Sequence, residues 1–243
     1  MLQFPKRRRI YLMRHAEAAY VSADGEVTKD PEAVPLTTLG RQQAGVQGDL
    51  LASIQFDRAI CSGLPRTLET AGIVLEKNHH SAPELEQQLA LKEIQGLGGA
   101  RVWPEEPDAV RQILERMANP WADGDKPGAQ FLDGEAFADF GQRVSTAWQG
   151  IVSDPDWDTL LLVLHGAVNR MIFNLVHGIS WSGQVCVEQD NACINIIDVD
   201  DIDPPRYLVR GVNITGYNLN KLGIDRTNME STALRVAELL QGR

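Results

Sequence analysis

Arg9-Ile10-Tyr11-Leu12-Met13-Arg14-His15-Ala16-Glu17 is the stretch from which the fold is read. Four apolar residues run unbroken from Ile10 and stop at an arginine and a histidine. An apolar run that short, bounded by polar residues, reads as a buried strand over 9–13 followed by a polar loop. The unit recurs twice. Arg58-Ala59-Ile60-Cys61 is a second short apolar run, with a helix expected from Leu64 to about Lys77. Thr159–Leu164 is a third, apolar at five of six positions, with a helix expected from about Ala167 to His177. Continuous apolar strands that feed helices predict an α/β fold whose mostly parallel sheet is covered on both faces.

Outward from these units the chain is less regular. Leu36-Thr37-Thr38 opens a helix to about Ile54, with either threonine as its N-cap. The stretch 94–133 carries Pro104, Pro107, Pro120 and Pro127. It reads as an irregular, cap-like insert with one helix near 108–118. From Gly134 onward Phe137, Phe140, Val144, Trp148 and Ile151 fall at helical spacing. Strands are expected over 192–199 and 206–212 and a last amphipathic helix over 229–241. The acidic run Asp198–Asp203 lacks the glycine and terminal glutamate of an EF-hand loop and reads as a solvated turn. We expect one domain over 1–243, since 243 residues suit one large α/β unit.

A formal net charge of −10 and a pI near 5.0 argue against nucleic acid or anionic lipid as partners. A small anionic substrate is compatible, because a few arginines in a cleft reverse the local potential. Cys61, Cys186 and Cys193 show no metal-type spacing and read as reduced thiols of a cytoplasmic protein. The four-residue apolar run before Arg14 is too short for an export signal or a membrane span.

The chemistry is carried by what stands at the strand ends. In open α/β sheets, ligands bind outside the carboxyl ends of strands. Arg14-His15, the turn Ser62–Arg66, and His165-Gly166 all occupy such positions. Arginine grips phosphoryl oxygens with a planar fork and keeps its charge. A neutral histidine can attack phosphorus at pH 7, and a second, protonated histidine would add charge to the oxygens. Backbone N–H groups where the helix near Ala167 begins would add donors. Glu17 reads as an orienting carboxylate, His79-His80 as loop, and His177 as a helix C-terminal cap.

Leu12-Met13-Arg14-His15-Ala16-Glu17 resembles the signature of the histidine phosphatase superfamily, the phosphoglycerate-mutase-like proteins. Four further stretches resemble that family in the same order: Leu36–Ala44, Cys61–Ala71, Leu91-Lys92-Glu93 and Leu164-His165-Gly166. The resemblance implies a three-layer α/β/α fold and phosphoryl transfer through a phosphohistidine on His15. It also implies that Arg14, Arg66 and His165 hold the phosphoryl oxygens, that Glu93 protonates the leaving oxygen, and that hydrolysis needs no metal or organic cofactor. Ala16 replaces the family's usual glycine, and Val21 stands where an asparagine is often found.

The expected activity is hydrolysis of a small phosphorylated metabolite, with 94–133 setting specificity. A phosphoglycerate-type mutase and a non-catalytic phosphate-binding module are the alternatives. The residues after Glu93, Ile94-Gln95-Gly96, are uncharged and the insert has an acidic balance. That favours hydrolysis over a mutase, which must hold its anionic substrate through an intermediate.

Overall fold

The computed structural model describes residues 4–20, 28, 30–96, 104, 106–122, 124, 126–179 and 187–241. Six strands form one sheet: β1 (Arg7–Arg14), β2 (Arg58–Cys61), β3 (Leu85–Gln87), β4 (Thr159–Leu164), β5 (Ile194–Asp200) and β6 (Arg206–Ile214). Their spatial order is β3-β2-β4-β1-β5-β6. The first four pair in parallel, whereas β5 and β6 run antiparallel. The helices are α1 (Thr38–Leu51), α2 (Pro65–Glu76), α3 (Pro107–Ala118), α4 (Phe137–Ser153), α5 (Gly166–Val176) and α6 (Asn228–Gln241).

The pleat of the central strands explains the layering. Successive side chains point to opposite faces. Ile10 and Leu12 of β1 pack with Leu160, Leu162 and Leu164 of β4 on the side of α4 and α5, around Trp148, Val168 and Ile172. Tyr11 and Met13 pack with Leu161 and Val163 on the opposite side, against Leu51 of α1 and Ala71 and Val74 of α2. Both faces of β1 and β4 are therefore buried, which is why these strands read as unbroken apolar runs. The result is the expected three-layer α/β/α arrangement.

Local signals start the helices. The Thr37 hydroxyl caps α1 by accepting from the Gly40 N–H at 2.9 Å. Gly40 has a second duty, because a Cβ there would lie 2.1 Å from the Glu17 carbonyl oxygen. Its bare backbone lets α1 press against the loop that follows β1. Helices α2 and α3 each begin with proline at the first position, where no N–H is required. Helix α1 stops at Leu51, three residues short of the expectation from sequence. The short edge strand β3 has no apolar run and carries no signal in the sequence. Helix α3 buries none of its residues fully and packs against α6.

The acidic run is corrected. Asp198 and Asp200 belong to β5, directly across from Arg9 and Arg7 of β1, and their side chains are almost fully buried. Asp198 accepts from Arg9 Nε at 2.6 Å and Arg210 Nε at 2.8 Å. Asp200 accepts from Arg7 Nε and Arg206 Nε, both at 2.6 Å. Only 201–205 forms the turn. Alternating arginines on β1 and β6 sandwich alternating aspartates on β5, a cross-strand charge ladder that a one-dimensional reading mistakes for a loop. Cys61 and Cys193 are free and buried, and Cys186 lies outside the described residues.

The ladder makes a prediction. Burial by itself would raise the Asp198 carboxyl, but hydrogen bonds from Arg9 and Arg210 outweigh it and hold the group below its usual value. Depressed in the fold, Asp198 adds stability above the unfolded value of about 3.9, and that stability fades as pH falls further. Its arginine partners are nearly half exposed, so Asp198→Asn should cost about 1–2 kcal/mol at pH 7. In urea denaturation, the gap between wild type and variant should begin to narrow below about pH 4 and keep narrowing as pH falls.

Candidate active site

Strand register brings the site together. Arg14 of β1 pairs with Leu164 of β4, and Cys61 of β2 pairs with Val163, so the three carboxyl ends lie level. The His15 N–H continues the ladder to the Leu164 carbonyl at 2.8 Å. Each strand then delivers its next residues to the same sheet edge. The His15 and His165 rings lie 5.2 Å apart at 63° and are almost completely buried.

His15 is fixed in one tautomer. Its Nδ1 lies 2.7 Å from the Ala16 carbonyl oxygen, which can only accept, so Nδ1 carries the hydrogen and Nε2 the lone pair. Burial first, then the charges of Arg66 and Arg14, push the His15 pKa well below its ordinary value. The ring is neutral at pH 7. The loop beneath it is pinned by the Thr70 hydroxyl, which accepts from the Ala16 N–H at 3.1 Å and donates to the Arg66 carbonyl at 2.7 Å. One side chain thus ties the His15 loop to the helix bearing Arg66. Glu17 accepts from the Thr37 hydroxyl at 2.9 Å, in keeping with an orienting carboxylate.

Both arginines are only partly engaged. Arg14 Nη1 donates to the Gln189 carbonyl at 2.5 Å and Arg66 Nη1 to the Pro31 carbonyl at 2.9 Å. The Nε of each is buried without a protein partner, and so is Nδ1 of His165. Buried donors without acceptors are costly. Two such guanidinium donors, beside a buried neutral imidazole in an acidic protein, suit an anion. His165 Nε2 lies 2.7 Å from the Ser62 hydroxyl. Burial, Arg66, His15, Arg14 and Arg143, in that order, lower the His165 pKa well below its ordinary value.

The Glu93 carboxyl reaches the start of α5, two residues beyond His165. Its Oε2 accepts from the Ala167 N–H at the start of α5 at 3.3 Å, and its Oε1 from the Ile94 N–H at 3.1 Å. The Ala167 N–H expected as a phosphate donor therefore faces the glutamate. His177 caps α5, with Nδ1 2.7 Å from the Phe173 carbonyl oxygen. Val21 lies outside the described residues. Among the described residues no group of three or more His, Cys, Asp or Glu is placed to hold a metal ion. No helix among them is long and apolar enough to cross a membrane.

Sequence reasoning missed several supports. Tyr20 stacks beside Arg66, whose Cζ is 5.6 Å from the ring centroid. The buried Gln189 side chain bonds with Asn169 and Asn195, holding the carbonyl on which Arg14 rests. Arg143 arrives from α4. These residues carry no local signal, because their contacts depend on how the sheet and helices pack and follow no helix or strand period.

Residues 10–209 match the family model described as the histidine phosphatase superfamily, branch 1. The chain is 26% identical over 195 residues to the adenosylcobalamin/alpha-ribazole phosphatase of Escherichia coli, covering 79% of this chain and 90% of that protein. It is 24% identical to a probable phosphoglycerate mutase, GpmB, of Salmonella arizonae, covering 79% of this chain and 85% of the mutase. The crystal structure of the alpha-ribazole phosphatase from Shigella flexneri superposes with a TM-score of 0.63 at 25% identity, covering 84% of this chain and 96% of that one.

The histidine pair predicts a pH dependence. Both rings are held neutral in the fold and take up protons on unfolding below about pH 6.5. The stability that they permit is fully present above that value and is lost as pH falls beneath it. Urea denaturation of wild type should weaken from pH 7 to 5.5, by up to about 1.4 kcal/mol per pH unit per histidine. The double variant His15→Gln/His165→Gln should show a flatter profile.

Proposed function

This chain belongs to the histidine phosphatase superfamily, and from that premise we propose that it hydrolyses a small phosphorylated metabolite through a phosphohistidine on His15. The observation that carries this reading is the fixed tautomer of His15, whose Nε2 lone pair stands beside two arginines with donors to spare. A non-catalytic phosphate pocket needs the arginines but has no use for a neutral nucleophile.

In the first step His15 Nε2 attacks phosphorus while the bond to the ester oxygen breaks. Glu93, in its protonated form, hands its proton to that departing oxygen. Arg14, Arg66 and His165 hold the three remaining phosphoryl oxygens and stabilise the charge spread over them in the transition state. In the second step water attacks the phosphohistidine, Glu93 accepts the water proton, and the P–N bond breaks to return the lone pair to Nε2. Inorganic phosphate and the starting enzyme result. Neither step calls on a metal or an organic cofactor, so turnover should survive exhaustive chelation.

The 94–133 insert is the element we assign to substrate selection, within a single 1–243 domain. We place the activity in the cytoplasm on the reduced state expected of its cysteines. Hydrolysis is favoured over isomerisation because the turn after Glu93 carries no positive side chain to retain an anionic intermediate.

Three outcomes are expected. His15→Ala should abolish turnover, and alkaline quenching followed by mass spectrometry should find phosphate on His15 in wild type; unchanged turnover in the variant would sink the reading. Glu93→Gln should lower kcat by about 10²–10⁴ for esters with poor leaving groups, and much less for good ones, which need no proton. Incubation with 3-phosphoglycerate and catalytic 2,3-bisphosphoglycerate should release phosphate rather than form 2-phosphoglycerate.

A further inference from the structure

Arg143 lies on α4, fifty residues along the chain from the turn that bears Glu93, and is only about one-quarter exposed. All five of its N–H groups have acceptors. Nε donates to Glu135 Oε1 at 2.7 Å and Nη2 to Glu135 Oε2 at 2.8 Å. Nη1 donates to the carbonyls of Ala90 and Lys92 at 2.7 and 2.8 Å, and Nη2 also reaches the carbonyl of Glu93 at 3.2 Å. Three of the five bonds thus fall on main-chain carbonyls within four consecutive residues, 90–93.

Glu135 grips the same turn from the other side. Its Oε2 accepts from the Gln95 N–H at 3.2 Å, and its own N–H donates to the Gln95 carbonyl at 2.7 Å. Gly134 makes the approach possible, since a Cβ there would stand 2.1 Å from the Gln95 carbonyl oxygen. Leu91 and Ile94, which flank the pair Lys92-Glu93, are buried in the core. Backbone is held from two sides and apolar side chains from below. The Glu93 side chain is left to reach the start of α5.

We infer that Arg143, locked to Glu135, is a positioning residue that sets the Glu93 carboxyl at the distance from which it protonates the leaving oxygen. The inference rests on the reading of Glu93 as the proton donor. Arg143 acts through the turn and not on substrate, because its donors are already spent. A guanidinium suits this role because its rigid fork meets a carboxylate along one edge and carbonyls along the other, which a lysine ammonium cannot do.

The test measures kcat/KM of the full chain on aryl phosphates whose leaving groups range from poor (phenol) to good (dinitrophenol). Arg143→Ala should lose about 10²-fold on phenyl phosphate, the scale set by a displacement of roughly 1 Å, and only a few-fold on the dinitrophenyl ester. Arg143→Lys should recover part of that loss. Combining Arg143→Ala with Glu93→Gln should cost little more than Glu93→Gln alone, because both remove the same proton transfer. The near-isosteric Glu135→Gln keeps the packing and should show the same leaving-group pattern at smaller size, which covers the case of an Arg143→Ala chain that does not fold. Equal losses on all esters in the Arg143 and Glu135 variants, or additive losses in the double variant, would overturn the inference while a sloped Glu93→Gln profile left the proton-donor reading intact. A flat Glu93→Gln profile would overturn both.

Discussion

The parallel register of β2, β4 and β1 is the constraint on which the rest depends. With Leu164 level with Arg14 and Cys61 level with Val163, three strands end on one line. Whatever follows each strand is delivered to one edge of the sheet. Because side chains alternate across a strand, a slip of one residue would exchange the two buried faces. Ile10, Leu12, Leu160 and Leu162 would leave the core that they form with α4 and α5. The fit of side chains on the two buried faces thus holds the register, and the register assembles the site. Packing and catalysis are linked at this level.

The pocket concentrates positive charge where the fold can least screen it. Two arginines and two buried histidines share one point in a chain of net charge −10. The fold limits the cost in two ways. Main-chain carbonyls from Gln189 and Pro31 take one donor from each guanidinium without neutralising its charge. The histidines stay uncharged, since burial and the neighbouring arginines both oppose protonation. The same physics that spares the fold two further charges leaves the His15 ring with a free lone pair on Nε2. What remains unsatisfied is the Nε of each arginine and Nδ1 of His165, all buried without a partner.

Around this centre the supports come from distant parts of the chain. Thr70 joins the first histidine loop to α2, Gln189 steadies Arg14, and the Arg143–Glu135 pair holds the turn of Glu93. A separate set of charges strengthens the antiparallel end of the sheet, where Asp198 and Asp200 sit between arginines of β1 and β6. These two polar systems differ in purpose. The ladder is neutralised pair by pair, whereas the pocket keeps its donors open.

The sequence by itself determined the β–α units, because strand and helix periods are local and apolar runs as plain as Ile10–Met13 and Leu160–Leu164 have few other readings. It also placed Arg14, His15, Arg66 and His165, since each stands at or near the end of such a run. The short strand β3 escaped it, for an edge strand of three residues need not be apolar. Asp198 and Asp200 were misread because an acidic run looks solvated until the arginines of two other strands are laid beside it. Only the tertiary structure decided the tautomer of His15, the unspent donors of the arginines, and the five-bond lock of Arg143. The way a ring turns on its own backbone, and the bonds from Arg143 to carbonyls about fifty positions away, leave no trace in local pattern and are set only when the sheet has brought these residues together.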